Sequence, residues 1–182
     1  MVYESHFITN RKGELYMAEL QKGLEGVIAA ETKVSSIIDS QLTYAGYDID
    51  DLAQNAEFEE VIYLLWHYRL PNEEELKELK EKLFEYMILN PRVYSHFKEY
   101  ATGNVHPMTA LRTSVSYIAH FDEHAEDEDE SRTMERAIRI QAKIASLVTA
   151  FARVRDGKEP VKPNSELSYA ANFLYMLRGE LP

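Results

Sequence analysis

The stretch from Arg132 to Arg155 constrains this chain more than any other, because it is long, periodic and lined with small residues on several sides. Met134, Ile138, Ile144, Val148 and Phe151 recur at helical spacing, with Ala137, Ala142, Ala145, Ser146, Ala150 and Ala152 among them. A helix with one apolar stripe lies on a surface, whereas small residues on several faces let other helices approach closely. The pattern predicts an enclosed helix over 132–155, stopped by Gly157, with neighbours from this chain or from a second subunit.

Other segments read as shorter helices. Asn72 followed three residues later by Glu75 is a capping-box-like start for a helix with Leu76, Leu79, Leu83 and Met87 in line. Asn90-Pro91 opens a helix with Val93, Phe97 and Tyr100 inward, closed by Gly103. Pro107 opens another with Met108, Leu111, Val115 and Ile118 inward. A last helix, Glu166 to Arg178, presents Tyr169, Phe173, Met176 and Leu177 and ends at Gly179. Ahead of Pro71, a helix bearing Phe58, Val61, Ile62 and Leu65 is expected, with Asn55 as its cap. Before it, Asp48 or Asp50 caps a short helical turn through Leu52. Gly23 to Ile49 is β-like, rich in branched and aromatic residues and punctuated by Gly and Asp, and predicts two or three short strands. The expected class is all-α, or mainly α, with a short β-like N-terminal segment.

A length of 182 residues suits one domain with one core, and 45% hydrophobic with 28% charged residues excludes a disordered chain. The net charge of -11 argues against nucleic acid or an anionic membrane as a partner, since both need a basic face. With no cysteine, the chain has no disulfide framework, thiolate metal site or thiol nucleophile, which fits a reducing compartment; the expected location is cytoplasmic. No apolar run approaches the roughly 18 residues of a membrane span, and MVYESHFITN lacks the layout of a secretory signal. The acidic run from Glu123 to Glu130 reads as a solvated connection.

The six histidines are the first candidates for chemistry. His120 and His124, four apart, suit a shared metal-binding face, but the acidic stretch after Phe121 favours a frayed, solvated helix end. His106, before Pro107, is expected as a helix cap. His67, beside Trp66, and His96 are expected as partly buried, hydrogen-bonded side chains. No Gly-x-Ser-x-Gly occurs, and Ser35, Ser36 and Ser114 stand in apolar runs. Gly23 and Gly26 lack the spacing and the following Lys-Ser/Thr of a phosphate loop. Asp50, Asp51 and the Glu-rich helix starts are explained by caps and dipoles. The residues by themselves assign no catalytic, cofactor-binding or metal position.

Several stretches, in order, resemble citrate synthase of the Gram-positive bacterial type. They are Lys22 to Val27, Thr43 to Leu52, FEEVIYLLWHYRLP from Phe58 to Pro71, NVHPMTALRTSVS from Asn104 to Ser116, Ala150 to Gly157, and ANFLYMLRG from Ala171 to Gly179. The resemblance covers about Met17 to the end. It implies helices of the citrate synthase large domain, a homodimer formed through helices near 107–121 and 132–155, and condensation of acetyl-CoA with oxaloacetate and water to citrate and CoA. It also implies that residues 17–182 are the N-terminal part of that domain, an incomplete fold. In the family, an Asp takes the methyl proton, two His support the enol and the carbonyl, and Arg residues hold the carboxylates. These groups belong to the family's second half and find no positions here, so no catalytic residue is carried over and the chain by itself is expected to be inactive. Acetyl-CoA enters as a substrate, and no cofactor is expected. Alternative readings are a fragment of 2-methylcitrate synthase, which uses propionyl-CoA, and a non-catalytic helical interaction module. Without later helices, Ile138, Ile144, Phe173 and Leu177 are expected to lie uncovered and to promote aggregation.

Residues 1–16 stand apart from the resemblance. Lys12-Gly13-Glu14 is encodable as AAA-GGA-GAA, a purine-rich ribosome-binding sequence, two residues before Met17. The expectation is a translated leader, the alternative being a flexible N-terminal arm.

Overall fold

The computed structural model describes residues 7–9, 15–17 and 31–182, except 102 and 128. The chain divides into two units, Met1–Lys33 and Val34–Pro182. In the first, β1 (Phe7–Thr9) pairs antiparallel with β2 (Leu15–Met17), Phe7 opposite Met17 and Thr9 opposite Leu15. The remainder of the expected leader, and the part of the β-like stretch from Gly23 to Ala30, lie outside the described residues.

The second unit opens with an antiparallel sheet ordered β3 (Ser35–Ile38), β4 (Gln41–Tyr44) and β5 (Tyr47–Asp48). Both connections are two-residue loops with positive φ, Asp39-Ser40 at 50° and 68° and Ala45-Gly46 at 48° and 89°. Loops of this kind match the twist of the strands they join. Asp48 then caps α1 (Ile49–Asn55), accepting from the Asp50 N–H at 2.7 Å.

Asn55 does not cap the next helix. It is the last residue of α1, its side-chain amide donating to the Asp51 carbonyl at 3.2 Å. Ala56 follows in an extended conformation and moves the start of α2 (Phe58–His67) on, so that Glu57 occupies the cap position. The Glu57 N–H donates to the Glu60 carboxylate at 2.7 Å, placing an acid over the positive end of the helix. In α3 (Glu73–Met87) the capping box is present: Asn72 Oδ1 accepts from the Glu75 N–H at 2.9 Å, and Glu75 Oε2 accepts from the Asn72 N–H at 2.9 Å. Leu79, Leu83 and Met87 are buried and Leu76 is half-buried. Asn90 caps α4 (Pro91–Tyr100), which ends before the predicted stop at Gly103 because Ala101, fully buried, already closes its last turn.

In α5 (Pro107–Ile118) the buried line is Ala110, Ser114 and Ile118, with Leu111 and Val115 half-buried at its edges. Met108, expected inward, is 63% exposed. The inward side is the one with small residues, which lets α5 come close to α6 (Thr133–Arg155). α7 (Tyr169–Arg178) starts three residues later than predicted, because Ser168 supplies the cap and Glu166 belongs to the preceding turn.

The enclosed helix is α6, which packs against α3, α4, α5 and α7. Its first half joins α2, α3 and α7 through Ile138, Ala142 and Ala145, against Ile62, Leu79, Leu83 and Met176. Its second half joins α4 and α5 through Leu147, Ala150, Phe151 and Val154, against Val93, Phe97 and Ile118. Ser146 ties the helix to the end of α3, its hydroxyl donating to the Met87 carbonyl at 2.7 Å. Of the residues expected to be left uncovered, Ile138 is buried at 7% exposure, while Ile144, Phe173 and Leu177 are half-buried.

Candidate functional site

The acidic connection before α6 is strapped down rather than freely solvated. Asp122 accepts from Arg139 Nη1 at 2.9 Å, Asp127 accepts from Arg132 Nη1 at 2.9 Å, and the Arg136 guanidinium donates to the Asp127 carbonyl. The three arginines lie on neighbouring turns at the start of α6 and bind the run through charge-assisted bonds.

The histidines take separate structural places. His106 caps α5, Nδ1 accepting from the Met108 N–H at 3.2 Å, as its position before Pro107 predicts. His120 meets the edge of Tyr117, and His124 Nδ1 lies 2.7 Å from Arg132 Nη1, so the two serve different neighbours. His96 stacks on Tyr117 at 4.2 Å. His67 is exposed rather than partly buried and stacks on Tyr63 at 4.1 Å; it ends α2 beside the exposed Tyr68 and Arg69. Among the described residues, no group of three or more His, Asp or Glu is arranged to hold a metal ion. The buried hydroxyls of Ser114 and Thr149 donate to backbone carbonyls one helical turn back.

Two grooves lie at the junctions of these helices. The larger, about 700 Å³, runs between the start of α2, α3 and the start of α7. Leu83 and Met87 lie along it, the Lys80–Glu57 ion pair lines it, and Phe58 stacks on Tyr169 at 5.4 Å. Glu59, 2% exposed, accepts from the Tyr169 N–H at 2.8 Å, so a buried carboxylate sits at the positive end of α7. Tyr169 donates its hydroxyl to the Gln141 carbonyl at 2.7 Å, and burial pushes its phenol pKa up. Asn172, 1% exposed, accepts from the Asn164 N–H at 2.8 Å and donates to the Asn164 and Leu167 carbonyls. Neither Glu59 nor Asn172 was anticipated. The available signal was a polar residue on the inward side of an apolar helix, which needs a buried partner.

The smaller groove, about 160 Å³, lies between α5 and α6 and is almost wholly apolar, with Met108, Leu111, Leu147 and Phe151 in its walls. Glu57, Glu59, Ser168 and Asn172 of the first groove are engaged in fixing helix ends, and the second offers apolar side chains to a neighbour. These surfaces position helices.

A family model described as citrate synthase, C-terminal domain, matches residues 23–182. The chain belongs to the citrate synthase family. It is 53% identical over 161 residues to citrate synthase 2 of Bacillus subtilis, covering 88% of this chain and 43% of that protein. It is 47% identical over 169 residues to citrate synthase of Haloferax volcanii, covering 90% of this chain and 45% of that one. The crystal structure of citrate synthase from Pyrobaculum aerophilum superimposes with a TM-score of 0.79 at 31% identity, over 98% of this chain and 46% of that chain. The chain thus spans somewhat less than half the length of these relatives. The mainly helical architecture is that of the citrate synthase family.

Proposed function

We propose that this chain serves citrate synthesis, the condensation of acetyl-CoA with oxaloacetate and water to citrate and CoA, in an enzyme of the acyltransferase class. The observation that carries the reading is 53% identity across nearly the whole chain to a protein named citrate synthase. Residues 17–182 supply helices of the large domain, residues 1–16 stand outside it, and the groups that perform the condensation are not among the residues of this chain. That last point is supported by the described histidines, which cap, stack on tyrosines or bond to Arg132, and by the buried Glu59 and Asn172, which hold helix ends. The enzyme acts as a homodimer through α5 and α6, where Met108 and the apolar groove offer a surface for a second copy. A cytoplasmic location is supported by the absence of cysteine, and no described helix is long and apolar enough to cross a membrane.

A chimera tests the reading. Residues 23–182 replace the matching segment of the Bacillus subtilis relative, and citrate formation is assayed with acetyl-CoA and with propionyl-CoA. Retained turnover, faster with acetyl-CoA, is the expected result; a folded chimera without turnover refutes the assignment. Assayed by itself, the 182-residue chain is expected to form no citrate above a protein-free control.

A further inference from the structure

The two most exposed large apolar side chains among the described residues are neighbours on one strand, Ile37 at 74% and Ile38 at 67%. They belong to β3, all of whose residues are exposed, and β3 is an edge of its sheet. Edge strands are commonly blunted by a lysine, a proline or a bulge, and Ser35-Ser36-Ile37-Ile38 carries none of these. We propose that β3 pairs antiparallel with β3 of a second copy of this chain, about a two-fold axis at Ser36, joining two small sheets into one.

The ladder inside the sheet fixes which backbone groups point outward. The Ala45 N–H donates to the Val34 carbonyl at 2.8 Å, so the hydrogen-bonded pairs of the hairpin are Val34 with Ala45, Ser36 with Thr43 and Ile38 with Gln41. Ser35 and Ile37 therefore turn their N–H and C=O groups away from β4, and no described strand takes them. An antiparallel partner must set outward residues against outward residues. Ser35 opposite Ile37 of the second copy, and Ile37 opposite its Ser35, is the register that uses both within the strand, each pair exchanging two N–H···O bonds.

Side chains and charges agree with that register. It places Ser36 opposite itself and Ile38 opposite Val34, so an apolar pair forms on one face of the joined sheet, while the two Ile37 lie diagonally across the other. Lys33 precedes the strand and Asp39 follows it. Antiparallel pairing brings these unlike charges together at both ends, whereas parallel pairing would set like against like. The contact is small, and it uses neither α5 nor α6, so it is separate from the dimer surface proposed on those helices.

The test is thiol trapping, and it does not depend on the citrate synthase reading. The chain has no cysteine, so one introduced thiol reports one position. In the proposed register the two Ser36 form a non-hydrogen-bonded pair with Cα atoms roughly 4.5 Å apart, within the span of a disulfide, whereas the two Ile38 lie roughly 14 Å apart. Full-length Ser36→Cys and Ile38→Cys chains at equal concentration are oxidised with diamide, and covalent dimer is followed on non-reducing gels. Ser36→Cys is expected to cross-link severalfold faster than Ile38→Cys. Adding Ile37→Pro should bring it down to the Ile38→Cys rate, because proline removes an outward donor while the bonds to β4, made by Ser36 and Ile38, remain. Ile37→Lys, which sets two cations diagonally across the contact, should do the same, and circular dichroism checks that each variant folds. Equal rates for Ser36→Cys and Ile38→Cys overturn the proposal, and so does a Ser36→Cys rate that neither Ile37 variant lowers.

Discussion

Asn172 satisfies three backbone groups in the turn that leads into α7, and it does so while buried. Asn172→Ala removes both halves of its amide and leaves those groups without their partner, so stability should fall by about 1–3 kcal/mol. Urea unfolding followed by circular dichroism measures it, and a loss below the error of that method would show that water replaces the amide. Gly179 presents a different constraint. It closes α7 in the left-handed region at φ 87°, and a Cβ there would lie 2.7 Å from Arg153 Nη1. Arg153 is held by the Glu159 carbonyl at 2.7 Å and the Leu177 carbonyl at 3.3 Å, so it cannot move aside without breaking bonds. Gly179→Ala should cost roughly 1 kcal/mol or more, read as a lowered midpoint in the same unfolding experiment. The glycine stop was readable from its place after the last periodic residue. The role of Asn172 was not, because its partners lie in a turn that no periodic pattern describes.

The start of α3 is sensitive to acid. Glu75 accepts from the Asn72 N–H and from Arg69 Nη1 at 2.8 Å, and these bonds hold its carboxyl well below the ordinary 4.5, the Arg69 bond being the largest cause. A carboxylate with a depressed folded-state pKa contributes stability above its unfolded value, and that contribution is lost as pH falls through and below 4.5 toward the folded value. Glu75→Gln should therefore unfold at a higher pH than the parent in an acid titration followed at 222 nm, the helical band. Equal acid midpoints would mean that the exposed Arg69–Glu75 pair is screened to nothing. In α6, small residues mark sites of close approach, and Ala142 is fully buried against the cluster of α3 and α7. Ala142→Leu should cost about 1–3 kcal/mol by overpacking. A smaller loss, measured by thermal unfolding, would place spare volume beside the helix.

Across the whole molecule, the apolar surface lies elsewhere than the stripes of α6 and α7 suggest. Ile138 is covered, while Met108 at 63% and Ile140 at 45% exposure stand out on α5 and α6. Under the proposed dimer, Met108→Asp should shift the chain toward monomer in sedimentation at micromolar concentration, by desolvating a charge at the contact. An unchanged association state would place the dimer contact elsewhere or remove it. The sequence by itself determined the mainly helical class, the box at Asn72 and Glu75, the caps at Asn90 and His106 and the enclosed character of α6, since these depend on residues within a few positions of one another or on one helical repeat. Tertiary structure alone decided that Ala110 rather than Met108 faces inward, that Glu59 meets the N–H of a residue 110 positions away, and that arginines strap the acidic run onto α6. A face is buried only when another element arrives to cover it, and which element arrives is set by the packing of the whole chain.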